Sequence, residues 1–117
     1  MARTKRPEDL LPLTPQVYGV LLALGDETRH GYAIIQEFER RTGEQGTLLP
    51  GSLYNTLGRM LRAGLVEEVP APPDETDHRR RYYHSTPFGK AVARAESARL
   101  ARLLRLAEAN DLLVDPA

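Results

Sequence analysis

Apolar residues fall at helical spacing in separate stretches of the chain. Val17, Val20, Leu21 and Leu24 make the first stripe, introduced by Thr14-Pro15 and stopped by Gly25. A threonine hydroxyl can accept an orphan backbone N–H, and proline at the first helical position loses no hydrogen bond, so the pair marks a helix start. Gly31, Ile34, Ile35 and Phe38 form a second stripe, opened at His30 and closed by Gly43, which suits a left-handed C-terminal cap. A third runs from Pro50 to Gly64, with Leu53, Leu57, Met60 and Leu61 at i, i+4, i+7 and i+8. Between the second and third, the stretch ending in Thr47-Leu48-Leu49 has room for a loop and one short strand. Thr86-Pro87 repeats the start signal. From there to about Leu113 only Gly89 interrupts an alanine- and leucine-rich run, which predicts one helix of about 40 Å.

Residues 65–69 and 80–85 are β-compatible and flank a polar connection containing Pro70, Pro72 and Pro73, a hairpin with an extended tip. Three short helices, a hairpin and a long helix follow the order of a winged helix-turn-helix. The expected fold is therefore mainly α with a β-hairpin wing. It divides into an N-terminal arm (1–13) with a turn at Leu10 and Leu11, a winged-helix DNA-binding domain (14–86) and a C-terminal dimerisation helix (87–113).

At 117 residues and 41% hydrophobic, the chain fits one domain with a packed core. Sixteen basic and sixteen acidic side chains cancel, so a partner attracted by charge must meet a local patch. Residues 47–64 hold Arg59 and Arg62 and no acid. Residues 78–90 hold Arg79, Arg80, Arg81 and Lys90 and no acid, whereas 65–77 hold Glu67, Glu68, Asp74, Glu75 and Asp77. Opposite the apolar stripe of the third helix lie Ser52, Asn55, Thr56 and Arg59, groups that read base edges and phosphates. Tyr54, at the stripe's edge, suits either a core position with its hydroxyl exposed or a phosphate contact. His78, Arg79, Arg80 and Arg81 on the descending arm of the hairpin are expected to contact phosphates, with strand alternation turning Arg80 away from Arg79 and Arg81.

The long helix carries apolar groups on two sides. Phe88, Ala91, Val92, Ala95, Leu103 and Leu106 share one, and Leu100, Leu104 and Ala107 the other. A domain this small cannot cover both, so a two-fold dimer is expected through Leu100, Leu103, Leu104, Leu106 and Ala107. Val17 and Leu21 of the first helix and the N-terminal arm should pack on the partner. Two-fold symmetry implies a pseudo-palindromic double-stranded operator.

Other chemistries find no support. The absence of cysteine excludes disulfides, thiolate zinc sites and thiol nucleophiles. Gly89-Lys90 is no phosphate loop, because His84 stands where a glycine is required and Ala91 replaces the magnesium-binding Ser or Thr. Asp74, Asp77 and His78 match no metal-coordination spacing, and Ser52 has no activating His or Lys near it in sequence. No enzyme activity, cofactor or metal is expected. The uncharged stretch 10–25 carries two prolines and is too short to span a bilayer, and the basic start runs directly into Glu8 and Asp9, so a cytoplasmic protein with no membrane partner is expected. The competing reading is a winged-helix protein–protein interaction module, whose affinity would respond little to salt.

Several segments together resemble the PadR family of bacterial transcriptional regulators. These are Leu21-Leu22-Ala23-Leu24, His30-Gly31-Tyr32, Gly51-Ser52-Leu53-Tyr54 with Leu57, Gly64-Leu65-Val66, and Tyr82-Tyr83 leading to Thr86-Pro87-Phe88-Gly89-Lys90. The resemblance covers roughly residues 13–93. It implies a dimeric repressor with DNA contacts from the third helix and wing, often released by an effector, here a small hydrophobic molecule. It also implies phosphate contacts at Ser52 and Tyr54, and a turn at Pro50 and Gly51 that lets the helix start approach the backbone. Asn55 stands where members often have proline, one long helix replaces a larger C-terminal domain, and no Trp is present to sandwich an aromatic ligand.

Overall fold

The computed structural model describes residues 5–113. Four helices, α1 (Pro15–Leu24), α2 (Gly31–Thr42), α3 (Pro50–Arg62) and α4 (Pro87–Ala109), surround an antiparallel sheet of β1 (Arg29–His30), β2 (Val66–Val69) and β3 (Tyr82–Ser85) in the order β1-β3-β2. A 3₁₀ turn at Pro7–Leu10 precedes α1. Thr14 and Thr86 cap α1 and α4, their hydroxyls accepting from the amides of Val17 and Gly89 at 3.2 and 2.9 Å. His30 caps α2 in the same way, its Nδ1 accepting from the Ala33 amide at 3.2 Å. Gly43, at φ +73°, closes that helix in the left-handed region.

The core lies where the apolar stripes meet. Val20, Leu24, Ile34, Phe38, Leu53, Leu57, Met60 and Val92 are buried together with Leu65, Val66 and Tyr83 of the wing base. Leu61, the outermost member of the predicted α3 stripe, is exposed instead. The wing is bolted to α4 at one close contact. A Cβ on Gly89 would lie 2.0 Å from the Leu65 carbonyl oxygen, and the Thr86 amide and hydroxyl donate to the carbonyls of Leu65 and Gly64 at 3.1 and 2.5 Å.

The structure departs from the sequence pattern at several points. No strand forms at residues 47–49, because Leu48 turns into the core while Leu49 caps α3. The third strand is instead β1, two residues paired with Tyr82 and Tyr83. Helix α4 ends at Ala109, so it is about 34 Å long rather than 40 Å. Asp111 takes a φ of +58°, and the amides of Asp111 and Leu112 return to the carbonyls of Glu108 and Ala107, closing the helix in a Schellman motif.

The described part of the arm packs on its own chain. Leu10, Leu11 and Leu13 pack against the chain's own core, and the Leu13 amide donates to Glu96 Oε2 at 3.1 Å. Glu96 is buried on α4 and also holds Arg99, at 2.6 and 3.0 Å. Residues 1–4 of the predicted arm and residues 114–117 lie outside the described residues. Leu21, expected at a dimer interface, is 4% exposed in the chain's own core, because it faces α4 rather than solvent.

Candidate nucleic-acid interface

Helix α3 presents one continuous polar surface. Pro50, Gly51, Ser52, Tyr54, Asn55, Arg59 and Arg62 are all exposed, with Gly51 open to solvent and the Ser52 hydroxyl resting on the Leu49 carbonyl at 3.3 Å. Among the described residues, Arg59 and Arg62 make no ion pair. Arg62, counted in the charge of this stretch but not placed among the reading residues from sequence, lies three residues beyond Arg59 and extends the same face.

Thr56 is not part of that surface. It is 1% exposed, because a step of about 40° around the helix from Ser52 carries it toward Met60. Its hydroxyl accepts from Arg59 Nη2 at 3.4 Å, so it acts on the face only by steadying Arg59. Tyr54 is 58% exposed, with its ring over Gly31 at the start of α2: a Cβ there would lie 3.0 Å from the phenol oxygen. The ring is therefore not a core side chain.

The wing differs from its sequence pattern. Strand β3 begins only at Tyr82, because a turn from Asp77 to Arg80 precedes it. Arg79, Arg80 and Arg81 therefore do not alternate along a strand. Each is held by a carboxylate of the same wing: Arg79 by Asp77 at 3.3 Å, Arg80 by Glu75 at 3.2 Å and Arg81 by Glu68 at 3.2 Å. The acidic and basic runs, separate in sequence, meet in space and neutralise one another. The expected free arginine ribbon is not present. His78 is exposed at the tip.

These pairs are of two kinds. Asp77 and Glu68 hold exposed guanidinium groups, and water screens such pairs so that each contributes little. Glu75 is largely buried and, besides Arg80, accepts the Tyr82 hydroxyl at 2.5 Å and the Asp77 amide at 3.1 Å. The hydrogen bond from Tyr82, then that from the Asp77 amide, hold its carboxyl down at about 2. Tyr82 in turn packs edge-on against the His30 ring, with centroids 5.4 Å apart. Burial lowers the His30 pKa, in keeping with a neutral ring whose Nδ1 caps α2. Glu75, Tyr82 and His30 thus tie the wing tip to the start of α2. None of the three was foreseen in that role, since the link depends on hairpin register.

With the helix face and wing in place, comparison with known proteins decides the family. The profile of the Transcriptional regulator PadR-like family matches residues 20–95, well over half the chain. The chain belongs to that family. The solved structure of a PadR family transcription regulator from Clostridium difficile R20291 shares the fold with a TM-score of 0.68 at 19% identity, over 81% of this chain and 96% of that one. RosR of H. salinarum is 30% identical, with a TM-score of 0.61 over 88% of this chain and 96% of its own. The putative transcriptional regulator TA0346 from Thermoplasma acidophilum gives 25% identity and a TM-score of 0.62, over 86% and 93%. No curated protein matches the sequence. PadR-like regulators bind DNA through a winged helix, and this chain has that fold. The family is one of transcriptional regulators, not of enzymes. Among the described residues no helix is long and apolar enough to cross a membrane.

Proposed function

We propose that this PadR-like chain is a homodimeric, sequence-specific repressor acting in the cytoplasm and released from its operator by a small hydrophobic effector. Carboxylate-free α3 carries this reading: Arg59 and Arg62, without an ion pair among the described residues, stand beside Ser52 and Asn55, the residue types that contact phosphates and base edges. In this reading the winged-helix unit (14–86) reads DNA with Pro50, Gly51, Ser52, Tyr54, Asn55 and Arg59, while Arg79, Arg81 and His78 reach flanking phosphates. Residues 87–113 join two copies. Leu103, Leu104 and Leu106 on the distal half of α4 are 49%, 56% and 60% exposed, an apolar ridge that pairing would remove from water, with half-buried Leu100 and Ala107 beside it. An apolar cleft of about 230 Å³ beside Arg59, walled by Leu10, Leu13, Val17, Met60 and Leu65, is a candidate seat for the effector.

Selection of bound sequences from random duplex DNA tests the reading, together with sedimentation of the free protein. A pseudo-palindromic motif with half-sites about one helical turn apart, bound by a dimer, is expected. The self-neutralised wing favours one rival, a protein-interaction module. That rival predicts no enriched motif and little response to salt.

A further inference from the structure

Ser85, the last residue of β3, is 2% exposed, and its hydroxyl is the only buried side-chain polar atom among the described residues without a hydrogen-bond partner. It lines a cleft of about 190 Å³ between the end of α1, β3 and the first turns of α4. Leu21 and Ala93 supply apolar walls, and Asp26, Lys90 and Arg94 supply charge. Lys90 and Arg94 stand one turn apart on α4. Lys90 Nζ holds the Asp26 carboxylate at 2.7 Å, while Arg94 is exposed and takes part in no ion pair among the described residues. Two cations thus face one carboxylate, which sits on an exposed turn and is held there by Lys90.

We propose that this cleft binds a small carboxylic acid as its monoanion, with a short apolar tail. Its carboxylate takes the place of Asp26 on Lys90, pairs with Arg94 and accepts from the Ser85 hydroxyl, while the tail lies on Leu21 and Ala93. Three observations favour this class of ligand. The lining has one positive charge more than it has negative, which suits a singly charged guest better than a dianion. The buried hydroxyl lacks an acceptor, and leaving such a group unpaired is costly. The Asp26 carboxylate shows in this chain that the Lys90 position accepts a carboxylate, and the Lys90 hydrogen bond holds that carboxyl below its usual range. The site is separate from the apolar cleft beside Arg59, and its binding does not rest on DNA recognition.

Titration of the full-length protein with sodium propionate, followed through backbone amide resonances, tests the assignment. Saturable shifts centred on Gly25, Asp26, Ser85, Lys90 and Arg94 are expected. Affinity should fall about tenfold in Arg94→Gln and severalfold in Ser85→Ala, each about the loss of one charge-assisted hydrogen bond or less. Asp26→Asn, which removes the internal competitor, should bind severalfold tighter, whereas Glu27→Gln, with the same change in net charge, should bind as wild type. Absence of saturation, as for a merely water-filled cleft, would overturn the proposal. So would equal tightening in Asp26→Asn and Glu27→Gln, or sulfate binding as tightly as propionate, which would leave the apolar walls no part.

Discussion

Helix α3 and the wing carry cations in opposite states. On α3, Arg59 and Arg62 face solvent with no carboxylate on the helix. In the wing, three arginines are each matched by an acid less than 15 residues away. A phosphate that meets α3 finds a free donor, whereas one that meets the wing must displace a carboxylate first. Charge counted along the sequence makes the wing the stronger attractor, and charge counted in space gives that place to α3.

The largest effect should come from α3. Arg59→Ala is expected to cost about 1–3 kcal/mol of affinity for a selected duplex and to relax base preference, read by fluorescence anisotropy against matched and mismatched sites. If Arg59→Ala and Arg81→Ala prove equally damaging, the contrast between the two regions fails.

Next in size is the buried anchor of the wing. Glu75→Ala removes the acceptor for Tyr82, Arg80 and the Asp77 amide, and exchange of that amide with deuterium should quicken about tenfold while α3 amides keep their protection. The same anchor sets an acid limit. Glu75 and Glu37, the latter held down mainly by hydrogen bonds from Arg40 and Arg41, both sit at about 2 against an ordinary value of 4.5. Depressed carboxyl groups stabilise the folded state fully above the unfolded value and lose that contribution as pH falls through the folded one. Thermal stability should therefore hold down to about pH 4.5 and decline from there toward about pH 2, with a shallower decline in Glu75→Gln.

A smaller gain is expected from freeing the exposed wing arginines. Glu68→Gln with Asp77→Asn should tighten DNA binding about two- to fivefold and steepen its salt dependence, as removal of two weak internal competitors predicts. The smallest effect belongs to Arg79→Ala. Its side chain is 93% exposed and, among the described residues, held only by Asp77, so its loss should change affinity by about twofold or less.

Much of this arrangement was legible in the sequence because it is local. Thr14-Pro15 and Thr86-Pro87 mark helix starts within three residues of the amides they cap, and the stripes of α1 and α2 need only the helical period. What the sequence hid depends on register between distant segments. Strand β1 is two residues long and exists only because Tyr82 and Tyr83 lie beside it. The Arg81–Glu68 pair follows from Glu68 standing opposite Tyr83 across the hairpin, which no window of charge reveals. Thr56 was misplaced for a related reason. It lies at the border of the polar face, and neighbouring elements, not the helix itself, decide on which side of that border it falls.

The missing Cβ at Gly89 makes α4 a lever. With no slack between Gly89 and the Leu65 carbonyl, the root of the wing and the start of α4 turn together as one body. Over about 34 Å of helix, a tilt of about 5° at that fulcrum sweeps the leucine end by about 3 Å. Where two chains are joined at their leucine ends, the gap between their two α3 surfaces would thus be geared to packing far from any DNA.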